Sequence, residues 1–198
     1  MEKSKKMVEK TEAKVLTFKN RKGFEKWLQK NYTLTCGVWI QFAKKGSEIP
    51  SVSPEEALEV ALCYGWIDGQ RKAFDTQYFL NKYTPRRKAS LWSKRNCTIA
   101  ERLIKEGQMQ PSGLNEINKA RSDGRWEKAY DSPRNIEIPF DFLEKLKQSK
   151  KATAFFNTLN KTNKYAIAFR LQTAGKPETR EKRMTKILEM MERGEKFY

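Results

Sequence analysis

The chain has 198 residues, 41 Lys and Arg against 24 Asp and Glu, and a formal charge of +17, with 38% hydrophobic and 12% aromatic residues. That apolar content can build the core of one large domain or two small ones, which excludes disorder of the whole chain. Histidine is absent, so a Ser-His-Asp triad, a Cys-His dyad and any His-ligated zinc site are excluded, and no metal site is expected.

Residues 1–15 alternate Lys and Glu with no apolar stretch behind the charges, and are read as a disordered basic arm. No apolar run approaches the roughly 18 residues that cross a bilayer, so the expected location is cytoplasmic. Cys36, Cys63 and Cys97 form neither a paired framework nor a C-x-x-C motif, and are expected as reduced, buried thiols.

An α+β domain is expected over 16–131. Phe24, Trp27 and Leu28 repeat at helical spacing, and Val38, Ile40 and Phe42 alternate with Trp39 and Gln41 as a strand that ends at Lys44-Lys45-Gly46. Ser53-Pro54-Glu55-Glu56 is a capping box with Pro at the first helical position; the helix it opens runs to Gly65, with Ala57, Leu58, Ala61 and Leu62 as its buried stripe. Trp66 to Phe74 and Thr76 to Tyr83 read as an aromatic hairpin turning at Asp75-Thr76, which Thr84-Pro85 closes. The expectation is therefore a small antiparallel sheet of about three strands packed with helices. Ser90 or Ser93 caps the next helix; Leu114, Ile117 and Ala120 lie on one face of another, and Trp126 and Tyr130 sit on a short third.

After a linker at 131–139, residues 140–198 read as a C-terminal all-helical bundle of four helices, over 140–148, 150–159, 161–174 and 177–193. Phe155, Phe156, Leu159, Tyr165, Phe169, Ile187, Leu188 and Met191 are expected to bury together.

Charge is uneven: residues 46–68 sum to −5 and residues 69–96 to +7. The densest unusual constellation lies in that basic stretch and the strand before it. Arg86 and Arg87 offer planar donor forks for phosphate or carboxylate, Trp66 and Trp92 offer faces for stacking, and Asp68, Asn96, Lys44 and Trp39 complete a candidate ligand-binding set. The plainer reading is that Asp68 pairs with an arginine across the hairpin and the tryptophans fill the core. Asp68 with Arg86 as anion clamp is the enzymatic alternative, although no second carboxylate sits at an acid/base spacing. Neither a Walker loop nor a Gly-x-Gly-x-x-Gly occurs, so no cofactor is expected. The partners this implies are an anionic small molecule or acidic surface, nucleic acid without sequence preference, or a protein at the C-terminal helices.

Several ordered motifs carry a resemblance. Gly37-Val38-Trp39-Ile40 with Lys44-Lys45, Glu56-Ala57-Leu58, Ala61-Leu62-Cys63-Tyr64-Gly65-Trp66-Ile67-Asp68-Gly69, Tyr83-Thr84-Pro85-Arg86-Arg87, Ser90-x-Trp92-Ser93 with Asn96, Asp123-Gly124-Arg125-Trp126 with Ala129-Tyr130, and Ala174-Gly175-Lys176-Pro177-Glu178-Thr179-Arg180 together resemble the YdeI/OmpD-associated, or bacteriocin-protection, family over residues 16–194. The resemblance implies a link to bacteriocin or antimicrobial-peptide resistance, a stress-resistance role, and supplies no catalytic residues. A chain of +17 repels cationic peptides, so protection by direct sequestration is disfavoured.

Overall fold

A computed structural model describes residues 13–198; of the arm expected over 1–15, residues 1–12 lie outside the described residues. The elements follow in order: β1 (Val15–Thr17), α1 (Arg21–Asn31), β2 (Val38–Ala43), α2 (Pro54–Cys63), β3 (Trp66–Ala73), β4 (Tyr78–Pro85), α3 (Lys94–Lys105), α4 (Pro111–Ser122), α5 (Phe140–Leu146), α6 (Lys150–Thr158), α7 (Lys161–Gln172) and α8 (Pro177–Arg193). No helix among them is long and apolar enough to cross a membrane.

The sheet has four strands in the order β1-β2-β4-β3, correcting the expected three. The added strand is β1, whose Val15 to Thr17 run parallel to Trp39 to Gln41. Three residues give no periodicity to read, and only pairing with a distant strand makes them one. The β3–β4 hairpin turns on Asp75, whose Oδ1 accepts from the backbone N–H of Gln77 (2.8 Å) and Tyr78 (2.7 Å). Between Asp68 and Arg71 a one-residue bulge shifts the register.

The described residues fall into two compact units, one running to Ser90 together with Thr98–Asp123, the other Leu91–Cys97 with Gly124–Tyr198. In the first, Phe24 and Leu28 of α1, Ile40 and Phe42 of β2, Leu62 of α2, and Tyr83 of β4 are fully buried. The capping box opens α2 as read: Ser53 Oγ accepts from Glu56 N, and the Glu56 carboxylate accepts from Ser53 N. Two glycines let α2 end against the start of α4. Gly65 has φ +77, and a Cβ on Gly113 would lie 2.2 Å from the Cys63 carbonyl oxygen. Leu114 is exposed, and Gly113, Ile117 and Ala120 form the packed face of α4.

In the second unit, Phe142, Leu146, Phe156, Ile167, Ile187 and Met191 bury together between α5 and α8. Trp126 to Tyr130 is a turn and bridge, not the short helix expected. Tyr130 N donates to Trp92 O and Tyr130 O accepts from Lys94 N, so its backbone groups pair outside any helix. Ser93 supplies the cap, accepting from Asn96 N at 3.1 Å.

Candidate functional site

At one end of the sheet, β2 runs out at Ala43 opposite Tyr78, which brings Lys44 and Lys45 beside the hairpin. Arg71 and Lys72 approach the same place from β3, whose Lys72 and Ala73 pair with Leu80 and Phe79. The result is a cleft of about 360 Å³ lined by Lys44, Lys45, Arg71, Lys72, Ala73 and Phe79. A second hollow of about 430 Å³ shares Lys44, Lys45, Arg71 and Phe79 and continues along Ser47, Ser51 and Ser53.

Every charged side chain in both linings is a cation. Among the described residues, none of Lys44, Lys45, Arg71 and Lys72 pairs with a carboxylate. Their footholds are aromatic rings and a backbone carbonyl. The Arg71 guanidinium lies 3.8 Å from the centre of the Phe79 ring, and Lys72 Nζ lies 4.4 Å from the Trp39 ring with Lys82 Nζ at 5.8 Å on the same indole. Lys44 Nζ donates to the Asp75 carbonyl at 2.7 Å. A ring under a cation fixes its position while leaving its N–H donors free to meet an anion.

The residues singled out from the sequence scatter. Lys44 belongs to this cleft and half-buried Trp39 stands next to it through Lys72. Trp66 is fully buried, its ring edge-on to Trp27 at 6.1 Å and its Nε1 donating to Tyr32 O at 2.7 Å, so it offers no stacking face. Trp92 is likewise buried, packed on Trp126 at 4.8 Å in the second unit, and Asn96 is buried in the first turn of α3. The two arginines differ in exposure: Arg86 is only 8% exposed and its backbone N–H donates to Gly65 O, whereas Arg87 is exposed. Of the two donor forks offered to a ligand, that of Arg86 is therefore largely enclosed, and that of Arg87 faces water just beyond the end of β4. Asp68 is exposed on β3 opposite Tyr83 and lines neither hollow. Burial, and secondarily the Asp68 charge, raise the Tyr83 phenol above its ordinary value.

Arg86 and Arg87 together border a separate opening of about 420 Å³ with Tyr32, Tyr64, Ser112, Asn115 and Glu116. This one contains an acid, and Glu116 is already paired with Lys119 at 2.7 Å.

Sequence reading missed Arg71 and Lys72 as site residues. Counting alternation from Trp66 puts Lys72 on the core face. The bulge reverses this, setting Arg71 beside Phe79 and Lys72 on the Trp39 face. Gly69 in mid-strand was the signal available for it.

Comparison with known proteins divides the chain. Residues 16–116 match the family model described as a domain of unknown function (DUF8412), which includes the cationic cleft. Residues 135–194 match the model described as bacteriocin-protection, YdeI or OmpD-associated, so the motifs between Gly37 and Tyr130 that suggested one family throughout fall outside it. No curated protein and no solved structure matches the chain. The chain thus belongs to that domain family of unknown function, whose model covers half of it, and its C-terminal helices match the bacteriocin-protection, YdeI or OmpD-associated model.

Proposed function

We propose that the protein is a non-enzymatic, cytoplasmic binding protein that holds an anionic, phosphate-type ligand at the cationic end of its sheet. The observation that carries this reading is the set of four cations, Lys44, Lys45, Arg71 and Lys72, around one cleft without a carboxylate partner among the described residues. Four like charges held close together repel one another, and an anion relieves that repulsion as it binds. Half-buried Trp39 adds flat apolar surface beside Lys72. Three free cysteines, Cys36, Cys63 and Cys97, support a reducing compartment. The enzymatic alternative lacks support from geometry, since Asp68 is exposed on a strand and not at the floor of either hollow.

Titration of a ten-residue oligothymidylate, and separately of inorganic polyphosphate, at rising salt tests the proposal. Binding should weaken with a log–log slope of about −2 to −3 for the oligonucleotide, at roughly 0.7 per neutralised phosphate. Arg71→Gln with Lys72→Gln should flatten that slope by about 1.4. A Trp39→Ala loss confined to the oligonucleotide would mark stacking, and a loss in neither would assign binding to charge alone. Affinity indifferent to the double variant would sink the reading.

A further inference from the structure

We infer that the C-terminal unit carries a second site, a groove on α7 and α8 that takes a small amphipathic anion: an acidic head on an aromatic or acyl body.

The groove begins with an imbalance in α7. Ile167 and Leu171 of this helix enter the bundle core, while Tyr165 and Phe169 project from it elsewhere and remain half-buried, contrary to the expectation that they join the same core. A helix apolar on two faces requires a second neighbour, and here the second face borders a space of about 940 Å³. Tyr130 meets Phe169 edge-on at 4.9 Å, and Tyr165 lies 5.7 Å from Phe169, giving a continuous aromatic wall. The opposite wall is Ile187 and Met190 of α8 with Phe197 beyond it.

Three cations stand in this lining, Arg170, Arg183 and Lys186, and no Asp or Glu side chain does. The contrast along α8 is informative. Away from the groove, Arg180 pairs with Asp141, Glu181 with Lys145, and Arg193 with Glu195. Arg183 and Lys186, which face the groove, pair with no carboxylate among the described residues. Arg183 Nη1 donates to the Arg170 carbonyl at 2.7 Å, and the Arg170 guanidinium lies 3.9 Å over the Phe197 ring. Phe197 is held in turn by Asn163, buried to 1% exposure, whose Oδ1 accepts from Phe197 N and Tyr198 N while Nδ2 donates to Tyr198 O. The wall is therefore preorganised.

Charge complementarity selects the occupant. Three cations without acids reject a cationic peptide, and the aromatic walls gain little from a bare inorganic anion. A second copy of a +17 chain is disfavoured by its own field. The volume lies at the upper end of the roughly 300–1,000 Å³ that suits an organic molecule with apolar body and few polar groups.

The test uses the whole chain and 8-anilinonaphthalene-1-sulfonate, followed by fluorescence, with uncharged N-phenyl-1-naphthylamine as comparison and decanoate as competitor. The sulfonate should bind saturably and be displaced by decanoate. Lys186→Gln, which removes a charge with no partner to lose, should weaken it about threefold to tenfold while leaving the uncharged probe within about twofold. Phe169→Ala should weaken both probes. Arg71→Gln with Lys72→Gln, at the sheet, should leave both unchanged, which separates failure here from failure of the sheet site. No saturable signal from the wild-type chain, sulfonate affinity unmoved by Lys186→Gln, or sulfonate binding abolished by the sheet variants would each overturn the inference.

Discussion

Gly113→Ala tests the packing that joins α2 to α4. The added Cβ would lie 2.2 Å from the Cys63 carbonyl oxygen, 2.6 Å from Met109 Sδ and 2.8 Å from the Cys63 carbonyl carbon. Met109 is a flexible side chain and can swing away. The carbonyl cannot, because it is backbone and accepts from Gln110 N at 3.1 Å. Relief to an ordinary contact therefore means moving the α4 terminus by about 1 Å and stretching that hydrogen bond. Overpacking of this kind costs about 1–3 kcal/mol and the weakened bond about 1 more, against a gain of up to about 1 from the better helix former. The net is about 1–4 kcal/mol, a fall of at least about 4 °C in the thermal midpoint of the first unit. Differential scanning calorimetry reads it, with Gly175→Ala as control, where nothing lies within 4 Å of the new Cβ. A Gly113→Ala midpoint within about 1 °C of wild type would refute the close approach.

Other expectations follow from local geometry. Asn163→Ala removes the clamp on Phe197 and Tyr198 and should speed amide exchange at those residues by about tenfold or more, read by hydrogen–deuterium exchange. Iodoacetamide at pH 8 should label half-buried Cys36 before Cys63, because burial pushes the Cys63 thiol up to about 11. The same burial makes the fold sensitive to alkali. Cys63 holds its proton more tightly folded than unfolded, so its contribution is whole below about pH 9 and fades, by an order of 2 kcal/mol, as pH rises toward 11, with Tyr83 acting in the same sense. Denaturant midpoints measured at pH 8 and pH 11 check the sign: a higher midpoint at pH 11 contradicts it.

Signals contained within a few residues were legible in the sequence. The Ser53 capping box lies where the sequence put it, and Asn160 at the start of α7 and Gly194 at the left-handed end of α8 are signals of the same kind, since each depends on atoms three or four residues apart. What failed depended on partners far along the chain. β1 exists through pairing with β2, Tyr130 leaves helical geometry to bridge Ser93, and Arg86 is buried although its neighbour Arg87 is not. The site was half legible for the same reason. The basic stretch over 69–96 announced a cationic surface, but which of its members share a cleft was set by a bulge and by the distant Lys44 and Lys45.

The two clusters of cations bear on how a chain whose C-terminal helices match the bacteriocin-protection model relates to bacteriocins. A cationic amphipathic peptide approaching this chain meets a net charge of +17, four cations around the sheet cleft and three in the helical groove. Its apolar face could match the aromatic groove, yet its own charges would meet no acid in either lining, and the unfavourable field grows as salt falls. If the proposed sites hold anions, capture of the peptide is disfavoured for this chain, and protection would run through a bound anion. Calorimetric titration with a cationic amphipathic peptide at 20 mM salt should show no saturable heat, while 8-anilinonaphthalene-1-sulfonate under the same buffer should. Saturable peptide binding that strengthens as salt is lowered would require an acidic surface that neither site provides, and would return direct sequestration to the leading position.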